Sequence, residues 1–309
     1  MISLPQTPTP LQEVHEPLLA DHGIRLLIKR DDLIHPHVSG NKWRKLKYNL
    51  AAARRQNHKT LLTFGGAYSN HIYATAAAGQ WLGFRTIGVI RGEEHLPLNP
   101  TLRFAADCGM TLYYLNRTDY RRKNTPAIRE RLQNRFGRFY LLPEGGTNPL
   151  AMGGCQELIT ELMEQTQGNF DLVTTACATG GTLAGIAKGL PPGKHALGFV
   201  VLKGGDFLTS TVQALLGSWH RPNWMLQLNY HFGGYARYTP ELLGFCEQFK
   251  THHRIPIEPI YTAKMLYGLY DLAAGGGLLP GTTVVAVHTG GLQGFTDATS
   301  SLIATGSLL

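Results

Sequence analysis

Short runs of apolar and β-branched residues alternate along this chain with longer helical stretches, and glycines stand at many of the joins. Residues 25–29, 60–64, 86–90, 111–115, 172–175, 197–202 and 284–288 read as strands. Residues 42–55, 70–82, 101–106, 127–135, 156–165, 183–190, 240–250 and 264–273 carry helical patterns between them. Strands that alternate with helices build βαβ units, so an α/β fold with mainly parallel, twisted sheets flanked by helices is expected. The 36 glycines lead to tight strand-to-helix turns, because glycine adopts backbone angles closed to other residues. Open α/β sheets bind ligands outside the carboxyl ends of their strands, and several strand ends here run straight into glycine with Ser, Thr or Asn.

At roughly 150 residues per domain, a chain of 309 residues is expected to form two units. Residues 55–145 read as a self-contained smaller one. Residues 1–54 and 146–309 would then form a larger, discontinuous one, with the chain crossing between them twice. No internal repeat is visible.

The net charge of +8 is concentrated in residues 117–138, from Arg117 through Arg121, Arg122, Lys123, Arg129, Arg131 and Arg135 to Arg138. A solvated helix face with its loop explains that run. No aromatic platform or zinc-finger spacing accompanies it, so no nucleic-acid partner is expected. Cys108, Cys155, Cys177 and Cys246 form no C-x-x-C pair, which argues against a disulfide framework or a cysteine zinc site, and no metal is expected. The first 14 residues lack a basic start and an apolar run, and no stretch approaches the ~20 apolar residues of a membrane helix. The cytoplasm is the expected setting, with no membrane partner.

Five segments could carry chemistry. In Val38-Ser39-Gly40-Asn41-Lys42-Trp43-Arg44-Lys45-Leu46, Ser39, Gly40 or Asn41 can cap a helix starting near Lys42. The positive end of the helix dipole and the charges of Arg44 and Lys45 lower the pKa of Lys42, and a lysine must be neutral to attack an aldehyde. A basic amphipathic helix with surface lysines explains the same residues. In Thr63-Phe64-Gly65-Gly66-Ala67-Tyr68-Ser69-Asn70-His71, a strand turns into a helix whose first amides can receive a carboxylate. Ordinary capping by Ser69 explains the same residues. In Leu172 to Gly185, the turn Ala178-Thr179-Gly180-Gly181-Thr182 has small residues, successive N–H groups and two threonine hydroxyls, which suits a phosphate. Neither a Walker lysine nor G-x-G-x-x-G is present, so a nucleoside triphosphate or dinucleotide fits poorly. Cys177 reads as a small filler. Val287-His288-Thr289-Gly290-Gly291 and Glu258-Pro259-Ile260-Tyr261-Thr262-Ala263-Lys264 add a hydroxyl and an aromatic ring, each non-specific alone.

In this order these segments, with Thr7-Pro8-Thr9-Pro10-Leu11, Ile28-Lys29-Arg30-Asp31-Asp32-Leu33 and Pro143-Glu144-Gly145-Gly146, resemble the fold-type II (tryptophan synthase β-like) enzymes of pyridoxal 5′-phosphate (PLP). Among them the likeness is to the branch of D-cysteine desulfhydrase and 1-aminocyclopropane-1-carboxylate (ACC) deaminase, and it runs through nearly the whole chain. The resemblance implies PLP as cofactor, a small amino acid as substrate and a homodimer. It implies that Lys42 forms the Schiff base and shuttles the proton, with Ser69 and Tyr261 completing the catalytic set. Asn70 would meet the cofactor's 3′-oxygen, Ala178, Thr179, Gly180, Gly181 and Thr182 with Lys45 its phosphate, and Thr262 or Thr289 its ring nitrogen. Tyr68, Ser69, Asn70 and His71 would line the substrate pocket.

Two departures stand out. The branch usually has glycine at Ser39 and glutamine at Tyr68. ACC deaminases resemble one another in a glutamate at the position of Thr262, which would protonate the ring nitrogen and strengthen the electron sink. With neutral Thr262 and Thr289 the expected activity is α,β-elimination from D-cysteine, giving pyruvate, ammonia and sulfide. ACC deamination is the alternative within the branch. A PLP-binding protein without catalysis and a phosphate-sugar or nucleotide enzyme are the alternatives outside it.

Overall fold

The computed structural model of the protein describes residues 5–219 and 221–294, so residues 1–4 and 295–309 of the expected larger unit lie outside the described residues. The strands are β1 (Leu11–Val14), β2 (Arg25–Lys29), β3 (Thr60–Gly65), β4 (Arg85–Arg91), β5 (Thr111–Leu115), β6 (Tyr140–Leu142), β7 (Leu172–Cys177), β8 (His195–Val200), β9 (Trp224–Gln227) and β10 (Thr283–Val287). The helices are α1 (Pro17–Asp21), α2 (Asn41–Arg55), α3 (Asn70–Leu82), α4 (Pro100–Asp107), α5 (Arg117–Arg121), α6 (Pro126–Phe136), α7 (Pro149–Thr166), α8 (Gly181–Gly189), α9 (Leu208–Leu216), α10 (Pro240–His253) and α11 (Thr262–Ala274).

The strands form a six-stranded sheet in the order β1-β2-β10-β7-β8-β9 and a four-stranded sheet in the order β5-β4-β3-β6. Among the described residues only β1 runs antiparallel to its neighbour; every other pairing is parallel. The α/β class expected from the alternation is therefore the class observed. Both faces of the six-stranded sheet are covered, and β7 shows how its sequence allows this. Leu172 and Ala176 belong to the core beneath α10 and α11, while Val173 and Cys177 belong to the core beneath α7, α8 and α9. Side chains alternate between faces along a strand, so the apolar pairs at its two ends, Leu172-Val173 and Ala176-Cys177, feed two cores at once.

Helix α2 sits between the sheets. Its Leu46, Leu50 and Ala53 join Leu61, Ala74 and Leu142 in a core of the four-stranded sheet. Its other side meets α7 closely enough that a Cβ at Gly154 would lie 1.8 Å from the Arg44 carbonyl oxygen. This placement carries Lys42 to the carboxyl ends of β3, β7 and β10, where three glycine turns converge.

The basic segment is a solvated surface. Arg117, Arg121, Arg122, Arg129, Arg131, Arg135 and Arg138 are all exposed. Lys123 pairs with Glu144 and Arg131 with Asp119. All four cysteines are free thiols, and burial pushes the Cys177 thiol up to about 11, which fits an inert filler. Among the described residues no helix is long and apolar enough to cross a membrane.

Candidate active site

The start of α2 selects one of the three expected caps. No side chain caps it; the cap position is Gly40, with φ 62°. A Cβ there would fall 1.8 Å from the carbonyl oxygen of Thr289, so the turn after β10 presses on this backbone and only glycine fits. Ser39 packs beside the same turn and donates from its hydroxyl to Asp32 O at 3.1 Å. Asn41, read from the sequence only as a possible cap, instead reaches sideways. Its Nδ2 donates to Thr182 Oγ1 at 3.0 Å, and its Oδ1 accepts from Lys42 Nζ at 2.8 Å. One amide thus ties the Lys42 amine to the first turn of α8. Lys42 is half-buried, and burial, then the charge of Lys45, lowers its pKa to about 7 against an opposing pull from Glu258.

The second element is an anion cradle. After β7 the chain turns through Ala178 and Thr179 to Gly180, whose φ of 74° needs glycine, and enters α8 without any side-chain cap, leaving first-turn amides open to a ligand. Lys45 is 2% exposed and donates to Gly145 O at 3.2 Å, Thr147 Oγ1 at 3.2 Å and Thr179 Oγ1 at 3.5 Å. Thr147 and Thr179 share a hydroxyl–hydroxyl bond of 2.8 Å. Gly181 is held so close that a Cβ would meet the Thr147 side chain at 2.7 Å. Among the described residues no carboxylate forms an ion pair with Lys45, and burial lowers its pKa. An ammonium buried without a counterion favours an incoming anion. Thr147 was missed by the sequence reading; the pair of glycines before it, following a strand, was the available signal.

The third element is the start of α3. Ser69 caps it, accepting from His71 N at 3.2 Å and Ile72 N at 3.3 Å. Asn70 is half-buried, and its Oδ1 accepts from Gln293 Nε2 at 3.0 Å. Tyr68 stands 62% exposed. His71 lies behind this surface at 2% exposure. Thr63 Oγ1 donates to Leu142 O at 3.0 Å, so it accepts the Nε2–H of His71 at 2.9 Å. That arrangement leaves Nδ1 unprotonated and facing Gly146. Burial, with Lys42 and Lys45 nearby, holds the His71 pKa well below its ordinary value. The imidazole is neutral.

The fourth element is the start of α11 beside the turn after β10. Tyr261 and Thr289 are half-buried, and Thr262 is 1% exposed. Tyr235 stands edge-on to Tyr261 with ring centroids 6.0 Å apart. Burial, then Tyr235, raises the Tyr261 pKa well above the phenol range, so the ring keeps its proton. Glu258, buried at 2%, accepts from Ile260 N at 2.7 Å, Tyr261 N at 3.0 Å and Thr262 N at 2.7 Å. Gly291 packs close to both this carboxylate and Asn70: a Cβ on it would be 2.7 Å from Asn70 Nδ2 and 3.6 Å from Glu258 Cγ. The sequence reading quoted Glu258 but gave it no role. An acidic residue just ahead of a helix start was the signal.

The structure therefore brings Lys42, Lys45, Ser69, Asn70, the Ala178–Thr182 turn, Tyr261, Thr262 and Thr289 to one end of the two sheets. Comparison with known proteins then decides what kind of site this is. Residues 2–290 match the family described as "Pyridoxal-phosphate dependent enzyme". The chain belongs to the pyridoxal-phosphate-dependent enzymes.

It is 32% identical over 298 residues to a putative ACC deaminase of Pyrococcus horikoshii, covering 93% of this chain and 90% of that protein. It is 32% identical to the bifunctional D-cysteine desulfhydrase/ACC deaminase of Arabidopsis thaliana, over 96% of this chain and 79% of the relative. A D-cysteine desulfhydrase of Klebsiella pneumoniae is 29% identical over 92% of both. Among solved structures, an ACC deaminase homologue superposes with a TM-score of 0.84 at 30% identity, over 98% of this chain and 95% of that one. The family and branch expected from the motifs are the ones found, and PLP is the cofactor.

The residues present suit that cofactor. PLP brings an aldehyde, a dianionic phosphate and a planar ring. A lysine lowered to about 7 is free to meet an aldehyde near neutral pH. The buried, counterion-free Lys45 and the Gly181 approach form a cradle in which an added Cβ would clash. PLP-dependent enzymes need both features in one rigid frame, and the Asn41 bridge from Lys42 to Thr182 joins them.

Proposed function

We propose that this PLP-dependent enzyme acts on a small amino acid through Lys42, and that it removes the β-substituent of D-cysteine to give pyruvate, ammonia and sulfide. The observation that carries the reading is the Lys42 amine, lowered to about 7 and tethered through Asn41 to the anion turn. In this reading Lys42 bonds to the cofactor, and Ala178 to Thr182 with Lys45 hold its phosphate. Asn70 meets the 3′-oxygen, and Thr262 or Thr289 meets the ring nitrogen. Ser69 orients the substrate carboxylate at the start of α3, with Tyr68 at the mouth and His71 behind. Tyr261, kept protonated, forms the wall against the side chain. When bound, the cofactor supplies an aldehyde for amines and a ring that takes up the electron pair left by the α-proton.

Lys42 accepts that α-proton at Nζ. Its pKa near 7 lets the same amine be a base at one moment and, once protonated, an acid at the next. The walls formed by Tyr261 and Ser69 fix which substrate bond faces the amine. The relatives named for D-cysteine desulfhydration support the substrate.

The second reading, ACC deamination, is supported by the name of the Pyrococcus relative and by the buried carboxylate of Glu258 behind Thr262. Holoenzyme supplied separately with D-cysteine and ACC tests the choice. Sulfide with pyruvate from D-cysteine is expected; 2-oxobutyrate with ammonia from ACC, and no sulfide, would overturn the substrate. Borohydride reduction and peptide mapping are expected to place the cofactor on Lys42. A homodimer in the cytoplasm is part of the proposal, and light scattering and cell fractionation test it.

A further inference from the structure

We infer that Glu258 is a positioning residue that supplies, from behind Thr262 and Gly291, the negative charge that keeps the ring nitrogen of bound PLP protonated. The inference rests on the reading that Thr262 or Thr289 lies beside that nitrogen. Threonine carries no charge, and threonines alone would leave the ring neutral. Glu258, however, is bound to the backbone N–H of Thr262 itself at 2.7 Å, with further bonds from Ile260 and Tyr261. A Cβ on Gly291 would come close to both its side chain and the Asn70 amide. A ring whose 3′-oxygen meets Asn70 therefore has this carboxylate next to the same glycine. The site contains a carboxylate one layer deeper than the sequence position at which ACC deaminases carry theirs.

The groups facing Glu258 come from three helices: Lys42 of α2, Cys246 of α10, and Tyr261 with Lys264 at the start of α11. Tyr261 and Cys246 hold their protons, being raised chiefly by burial. Lys264 is committed to His231 O at 2.9 Å and Gly234 O at 2.8 Å. The Lys264 ammonium, turned to those carbonyls, still faces Glu258. A cation at the ring nitrogen would be a further counterion for the carboxylate. Burial raises Glu258 to about 7, and a cation arriving beside it lowers it again. The ring takes its proton from solvent, and no bond to Glu258 is made or broken.

The test is the NMR signal of PLP labelled at its ring nitrogen, followed in holoenzyme against pH. A protonated ring is expected in the wild type near neutrality. Glu258→Gln is expected to lower the ring-nitrogen pKa by about 1–3 units, and Glu258→Asp to restore it in large part. A neutral ring in the wild type, or an unchanged signal in a folded Glu258→Gln protein, would overturn the inference. Should that variant not fold, the wild-type titration alone decides. Labelled cofactor found off Lys42 by peptide mapping would instead overturn the proposed function.

Discussion

Helix α2 carries buried cations on two sides, and they are treated in opposite ways. Arg44 is 1% exposed and forked onto Asp31 at 2.6 and 2.7 Å and onto Glu161 at 2.9 and 3.0 Å. Lys29 joins Glu161 at 2.7 Å, and the Thr9 hydroxyl donates to Asp31 at 2.7 Å. Burial works against the Arg44 charge, yet Asp31 and Glu161 hold its pKa above the ordinary guanidinium range. Lys42 and Lys45, two and one positions away, have carbonyl and hydroxyl partners but no carboxylate bound to them among the described residues. Burial lowers both. The difference is between a cation used to fix the helix and cations left available to a ligand.

The largest expected break in the comparison is Lys42→Ala. Turnover should fall by at least about 10²–10⁴-fold, the usual contribution of a positioned acid–base group, with the loss of the cofactor bond added to it. The melting temperature should hardly move, because Lys42 anchors nothing in the core. Turnover near the wild-type level would remove the distinction. Arg44→Met should do the reverse. It strands Asp31 and leaves Glu161 only Lys29, and breaking a buried pair in this way costs about 3–5 kcal/mol. Urea unfolding measures that loss, while PLP bound by the folded fraction should absorb as in the wild type.

The same contrast explains what the sequence could show. Residues 70–82 and 111–115 were expected as helix and strand with the bounds observed, because long patterned segments report their own burial. The unexpected strands β1, β6 and β9 are three or four residues each, too short to establish a period. Helix α7 begins seven residues earlier than expected. Its early turns hold Gly153 and Gly154, and Gly154 is the contact point with α2, a reason that exists only in three dimensions. At the site, Lys42 and the Ala178–Thr182 turn were legible because their chemistry needs particular local residues. Asn41, Thr147 and Glu258 were not, because each acts through a partner distant in sequence or through backbone N–H groups. Whether Arg44 or Lys42 would carry the counterions could not be told from neighbouring basic residues on one helix.

Lys45→Met sharpens the comparison on the ligand side. Losing one charge-assisted bond of about 1.5–3 kcal/mol should weaken PLP binding by roughly 10–150-fold. Pyridoxal, which lacks the phosphate, should bind almost as before. Equal losses for both ligands would place Lys45 in the frame of the fold, with Arg44, and not in the cradle.

The smallest effect is also the most specific to electrostatics. Lys42 must be neutral to attack an aldehyde, so the rate of pyridoxal uptake by cofactor-free protein should rise with pH through about 7 and then level off. Burial sets most of that depression and the positive charge of Lys45 adds to it. Replacing Lys45 by methionine removes a like charge, so the protonated form of Lys42 becomes easier to hold and its pKa rises. The midpoint of the pyridoxal uptake profile should therefore move to higher pH, and uptake at neutrality should slow. Pyridoxal is the right probe because its binding does not draw on the phosphate cradle. A midpoint that stayed in place would mean that burial alone prepares Lys42 and that its cationic neighbour acts only on the ligand; a midpoint that fell would contradict the charge argument outright.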